Sequence, residues 1–350
     1  MMQVLIDPLS NVLYQSFYIQ ALYDMFGKSN VRFGSEPFRD LSTAERSSWG
    51  CLWVVREGKS EKRFFADGAD ETGLNENIYE WCDVYGKVNA NFTKTQGREK
   101  LVSLCPSFAV RCWNPVGTMM QTVCNAVRFL VAQNFVIDKS LKKFIGRYRR
   151  LLMRAPFSEV VPGSSEDDYI FFCSTLWYNN EWNRNDEGVN LRRANFIRAC
   201  QTLPGVRFEG GFVEQQGRSS RQLFEDCMAP GTYRHRDWIH NTQKSAIVFN
   251  TPAFWDCHGW KLGEYLALGK AIISTPLSND LPFPLEHGVN IHIVEDNTES
   301  IREGVWYLIS NPEYRHRLEQ GAEEYWQKWG TPESVMKLMK VKDTVCSCME

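Results

Sequence analysis

Asp256, His258, Lys261 and Glu264 fall within nine positions of one another, with Gly259 and Trp260 between them. Carboxylates accept hydrogen bonds from hydroxyl groups, and a lysine offsets negative charge. A glycine just ahead of a helix leaves backbone N–H groups open to an anion. The flanking residues say what positions this cluster. Ala246 to Phe249 is a short apolar run that reads as a buried strand, and Ala271 to Ser274 reads as a second. Between them a polar loop, Asn250 to Gly259, leads into a helix from about Trp260 to Leu268 that Gly269 stops. Strand, loop, helix, strand is one βαβ unit, and ligands of such sheets bind outside the carboxyl ends of the strands. The loop then lies where an anion meets the helix terminus, and Glu264 is expected to face the same crevice.

The whole chain bounds what the cluster can belong to. Its 350 residues are too many for one ordinary core and suit two domains of similar size. A hydrophobic share of 43% and a charged share of 23% are those of a soluble globular protein. The formal net charge of -2 argues against a dedicated nucleic-acid binder, so no nucleic-acid partner is expected. The opening MMQVLIDPLS reads as a strand start rather than a signal peptide. No apolar run approaches the roughly 20 residues that span a bilayer, so a cytoplasmic protein is expected. The cysteines are scattered without a C-x-x-C pair; only Cys346 and Cys348 lie close together, in a polar tail. They read as small buried hydrophobes.

Taken in order, Gln3 to Ile6 is a first strand and Val12 to Phe26 an amphipathic helix. Leu9-Ser10-Asn11 stands where a Rossmann dinucleotide site has Gly-x-Gly-x-x-Gly, which argues against a nicotinamide or flavin enzyme of that type. Leu52 to Arg56 and Arg63 to Ala66 read as a hairpin about Gly58. Asp67-Gly68-Ala69-Asp70 reads as a solvated turn in preference to a metal site. A strand near Trp81 to Tyr85, another at Leu101 to Leu104, and a helix over Val116 to Ala132 behind Asn114-Pro115 follow.

Leu141 to Arg154 carries Leu141, Phe144, Ile145, Tyr148, Leu151 and Leu152 at helical spacing, with basic residues over the rest and no acid. Such a helix lies on an anionic membrane at the inner face, or packs on a core with its basic face in water; both readings stand. Val161 to Asp168 is a linker rich in Pro, Gly, Ser and acidic residues. From Tyr169 onward strand and helix alternate to Trp329, a doubly wound α/β pattern.

Two Rossmann-like halves with a ligand loop late in the second resemble the GT-B glycosyltransferases, most closely from about Val189 to Trp329. Retaining members carry two acidic residues separated by seven others, the spacing of Asp256 and Glu264, with Asp in place of the usual first Glu. Leu268-Gly269-Lys270-Ala271-Ile272-Ile273 is similar to the family's Gly-Lys-Pro-Val-Val run without its proline, and Glu286-His287-Gly288 and Asn311-Pro312-Glu313 fit its closing pattern. The resemblance implies an α/β fold of two domains facing a cleft: residues 1–160 on the acceptor side, 166–329 for the nucleotide-sugar, and 330–345 crossing back to the first.

It also implies a transferase moving a sugar from a nucleotide diphosphate-sugar to a hydroxyl of a glycan or lipid-linked acceptor, as in polysaccharide biosynthesis. Glu264 would then take the ribose hydroxyls and Asp256 the donor sugar. His258 and the N–H groups of Gly259 and Trp260 would meet the donor, and Lys261 or a neighbouring arginine the leaving diphosphate. No cofactor is implied beyond the donor itself, and no metal, because the helix terminus and cations stand in for one.

One loop departs from the family. Retaining members place an arginine and a lysine after the first strand of the second domain; here that loop is Ser174 to Gly188, and Glu187 falls where the lysine would be. Arg184 is the nearest cation, and Arg192 lies on the following helix. An inverting enzyme would need a base from the first domain, with Asp67, Asp70 and Asp83 as candidates. Two alternatives stay beside the transferase: a GT-B-like binding subunit without turnover, and a nucleotide-sugar epimerase of the same fold. Taken singly, each residue also has a plainer role: Asp256 as a helix cap, Glu264 as a surface carboxylate, His258 as a packing residue.

Overall fold

A computed structural model describes residues 2–177, 186–214 and 221–341, with the side chains of Asp186, Glu187, Arg221 and Gln222 left aside. It divides into two compact units. The first takes in residues up to 159, 280–282 and the described residues from 329; the second takes in the described residues of 160–279 and 283–328.

The first unit is built on a six-stranded sheet. Its elements are β1 (Met2–Ile6), α1 (Val12–Phe26), β2 (Val31–Phe33), α2 (Thr43–Arg46), β3 (Gly50–Glu57) and β4 (Ser60–Asp67). Then come α3 (Glu76–Trp81), β5 (Val84–Lys87), β6 (Leu101–Ser103), α4 (Pro115–Ala132) and α5 (Lys139–Leu152). The spatial order is β2-β1-β3-β4-β5-β6. β3 runs antiparallel to both β1 and β4, while the remaining pairs are parallel. The β3–β4 hairpin predicted about Gly58 is therefore the middle of the sheet, turning with Gly58 at φ 58°.

Two sequence expectations shift here, and the pair of readings left for Leu141 to Arg154 is narrowed. Trp81 ends a helix instead of opening a strand, because the Asn75 side chain accepts from the Ile78 N–H and starts α3 where strand periodicity had been read. Asp67 is buried rather than solvated: Lys87 Nζ lies 2.8 Å from its Oδ2, and Tyr85 donates to the same oxygen at 2.7 Å. The apolar stripe of Leu141 to Arg154 turns inward on α5, with Phe144, Tyr148 and Leu151 buried. Phe144 stacks on Phe129 of α4 at 4.6 Å between ring centres.

The second unit holds parallel strands only. β7 (Tyr169–Thr175), α6 (Asp186–Gln201), β8 (Arg207–Val213), α7 (His235–Lys244), β9 (Val248–Asn250) and α8 (Trp260–Ala267) follow one another. β10 (Ile272–Ser274), β11 (His292–Ile293), α9 (Thr298–Ser310) and α10 (Pro312–Tyr325) complete it. β7 pairs with β8, and β9 and β11 flank β10. The Ala246 N–H donates to the Tyr169 carbonyl at 2.7 Å, which brings the start of β9 alongside β7. Phe172, Phe196, Phe249 and Ile273 join β7, α6, β9 and β10 in one core, with the Phe196 and Phe249 rings stacked at 4.8 Å. Burying each such side chain is worth about 1.5–3 kcal/mol. The last helix, α11 (Pro332–Leu338), belongs to the first unit. The fold is α/β with parallel pairing dominant.

Candidate functional site

The expected βαβ unit is formed by β9, α8 and β10. Val248, Phe249 and Asn250 pair in register with Ile272, Ile273 and Ser274, so both strands present their carboxyl ends together. There the side chains turn polar. Asn250 Nδ2 donates to Ser274 Oγ at 3.0 Å, and the Thr251 and Thr275 hydroxyls meet at 2.8 Å. These bonds satisfy groups that the apolar strands bury.

The loop that follows is tightly held. Trp255 and Asp256 both take left-handed backbone conformations, φ 58° and 57°, which non-glycine residues adopt at a cost. Asn279 supports them: its Nδ2 donates to the Asp256 carbonyl at 3.1 Å, and its own carbonyl lies 3.1 Å from His258 Nε2. Asp256 and Trp255 are exposed and His258 is buried, so the aspartate's carboxylate faces solvent and the histidine secures the loop. Gly259 is the N-cap of α8 with no side-chain cap, and a Cβ placed on it would meet nothing within 4 Å. The first N–H groups of α8, Trp260 and Lys261 included, carry the positive end of the helix dipole there.

Beneath that terminus lie two cations. Lys261 sends Nζ to the Cys173 carbonyl near the end of β7, with the Phe172 ring 4.5 Å away. Burial, and the neighbouring Arg193, push its ammonium down to about 7. Arg193 of α6 is itself only 8% exposed, and burial lowers it to about 10. Its Nη1 is buried and has no hydrogen-bond partner among the described residues. Burying that Nη1 without a partner costs about 1–3 kcal/mol.

Glu264 is drawn inward, which removes the plainer reading of it as a surface carboxylate. It is 5% exposed, and His235, the first residue of α7, places Nε2 3.1 Å from its Oε1. The cause is local: α8 packs Tyr265 on Trp238 of α7, which brings the start of α7 over the carboxylate. Arg184 lies outside the described residues, as does the side chain of Glu187. Among the described residues no cluster of three or more His, Cys, Asp or Glu is placed to hold a metal ion.

Thus Asp256, His258, Gly259, Trp260, Lys261 and Glu264 do gather about one helix start, and Arg193 and His235 join them. Arg193 had a signal. It falls at helical spacing among Val189, Phe196, Ile197 and Cys200, a cation on an apolar stripe. His235 had none, because its meeting with Glu264 is made by packing between α7 and α8.

No protein-family model matches the sequence, and no curated protein is similar to it in sequence. Among solved structures the likeness is to GT-B glycosyltransferases, with nucleotide-sugar epimerases also among the matches. A glycosyltransferase from Rickettsia africae matches at 12% identity and TM-score 0.42, over 79% of this chain and 69% of that one. Anabaena HepE in complex with UDP matches at 11% identity and TM-score 0.40, over 81% of this chain and 99% of that one. The UDP-GlcNAc 2-epimerase of Neisseria meningitidis bound to UDP-GlcNAc matches at 12% identity and TM-score 0.39, over 76% of this chain and 62% of that one.

Proposed function

We propose that the chain is a glycosyltransferase that binds a nucleotide diphosphate-sugar at the start of α8 and transfers the sugar to a glycan or lipid-linked hydroxyl. The observation that carries this reading is a pair of neighbouring cations, buried Arg193 and half-buried Lys261, set behind the start of α8 at the carboxyl ends of parallel strands. A diphosphate supplies negative charge opposite these two cations, and α8 supplies N–H donors for its oxygens.

In this reading the N–H groups of Gly259, Trp260 and Lys261 hold phosphate oxygens. Arg193 and Lys261 offset the charge that builds on the diphosphate as the bond to the sugar breaks. The carboxylate of Glu264, held by His235, accepts from ribose hydroxyls, and exposed Asp256 meets the sugar. The reaction so drawn invokes no metal, since the cations and the helix terminus do that electrostatic work.

The test is calorimetry with a panel of nucleoside diphosphates at pH 6.5, then assay of slow donor hydrolysis. At least one nucleotide is expected to bind, with Arg193→Met and Glu264→Ala weakening it, and its sugar conjugate to be hydrolysed slowly. A folded protein that binds none of the panel overturns the reading. Binding without any hydrolysis or transfer makes the chain a nucleotide-sugar-binding subunit instead.

A further inference from the structure

The longest helix of the first unit is amphipathic the wrong way round. On α4, Val116, Met119, Met120, Val123, Val127 and Val131 are each more than half exposed. They recur at three- and four-residue spacing and so make one stripe along five turns. The side that packs inward carries Thr118, Asn125 and Phe129. Its polar groups are spoken for: Thr118 donates to the Asn114 carbonyl at 3.0 Å, and Asn125 Nδ2 donates to Tyr148 of α5 at 2.9 Å. The apolar surface continues past the helix through Phe135, Val136 and Ile137, all exposed. A contiguous apolar face of this extent marks an interaction site on a globular protein.

The neighbouring helix says what the face meets. α5 spends its own apolar stripe on the fold and leaves Lys139, Lys142, Lys143, Arg149 and Arg150 exposed, with no acidic residue along its length. α4 itself carries one charge, Arg128. An apolar stripe on one helix and a row of cations on the helix packed against it complement an anionic lipid surface, where acyl chains take the stripe and headgroups take the lysines and arginines. A second copy of the chain fits less well, because apposing two such faces brings the basic rows of both α5 helices together.

We infer that the α4–α5 hairpin is a membrane-docking surface in which α4 inserts shallowly into the headgroup region of an anionic bilayer and α5 supplies the electrostatic attraction. None of the described helices is long and apolar enough to cross a membrane, so the contact is peripheral. The inference does not rest on the nucleotide reading and survives its failure.

Co-sedimentation of the whole chain with vesicles of phosphatidylcholine alone, or with 30% phosphatidylglycerol, tests it. Retention on the anionic vesicles is expected, with little on the neutral ones. Met120→Gln with Val127→Gln, and separately Lys142→Glu with Lys143→Glu, are each expected to weaken retention about tenfold or more. All four side chains are exposed, so the variants should keep the parent's unfolding transition. Three results overturn the inference: no retention on anionic vesicles, retention that the α4 pair does not change, or a sedimenting dimer without vesicle binding that the α4 pair dissolves. The last assigns the face to a second copy of the chain.

Discussion

Lys87 in the first unit and Lys261 in the second are both lysines whose ammonium groups lie inside the fold, and their surroundings differ in kind. Lys87 is fully buried and complete: Asp67 faces it at 2.8 Å, Tyr85 donates to the same carboxylate oxygen, and the Ala69 N–H donates to the other at 2.8 Å. Lys261 has a neutral carbonyl as its hydrogen-bond partner, an aromatic ring at its side and a second cation, Arg193, as a neighbour, and the attraction of the Glu264 carboxylate does not offset its burial. A fold that bonds one lysine directly to a carboxylate and leaves another with its charge only weakly offset separates a charge used for structure from one held for a ligand.

Breaking the complete site should have the largest effect. Asp67→Asn removes the charge opposite Lys87 and leaves a buried ammonium unpaired, which is expected to lower stability by about 3–5 kcal/mol. Urea denaturation followed by far-UV circular dichroism measures it. A loss under about 1 kcal/mol would mean that the Asp67 charge matters little to the buried Lys87, and the contrast between the two lysines would disappear.

Emptying the second site should spare the fold and strip the ligand. Arg193→Met keeps an unbranched side chain on the buried face of α6 and removes the buried, unbonded Nη1, so stability should hold or rise. Binding of a nucleoside diphosphate should weaken about thirtyfold to a hundredfold, the measure of one charge-assisted contact in a buried site. Unchanged affinity would assign Arg193 to packing alone.

How far this could be read from the chain follows from the same residues. The βαβ unit about α8 was legible because strand, loop and helix are contiguous and each obeys a local rule: apolar runs for β9 and β10, glycine on both sides of α8. Asp67 was misread because Asp-Gly favours turns through local backbone preferences, whereas its burial is decided by Lys87 and Tyr85 on the neighbouring strand, about 20 residues on. Glu264 was placed on the correct helix, but its bond to His235 was not legible, since His235 arrives from α7 through packing. The amphipathic pattern of α5 was legible, but α4, its partner, decides that the stripe turns inward and that the exposed apolar face lies elsewhere.

The third test exploits the proton on Lys261. Burial holds its ammonium near 7, so the free protein carries the charge below that pH and loses it above. An anion prefers the charged form and raises the value when bound. Affinity for a nucleoside diphosphate should therefore fall about tenfold between pH 6.5 and 8.5, with proton uptake on binding. Calorimetry in buffers of different ionisation enthalpy detects both. Lys261→Met should flatten the dependence; a fall that persists in the variant would place the titrating group elsewhere.

The smallest effect concerns stability in the absence of ligand. Lys261 binds its proton less tightly folded than unfolded, so between about 7 and the ordinary lysine value the unfolded chain carries more protons. Stability contributed by this group rises with pH across that window, and below about 7 the full penalty of charging it applies. Lys270 adds a similar rise that starts later, because burial, eased by Glu319 at 3.7 Å, holds it near 8. Lys261→Met should then stabilise the protein by about 1 kcal/mol at pH 6 and by less at pH 9, leaving the rise due to Lys270 in place. Denaturation midpoints at the two pH values decide it. A variant that is destabilised equally at both would show that the bond to Cys173 matters more than the buried charge, and Lys261 would join Lys87 as a structural lysine.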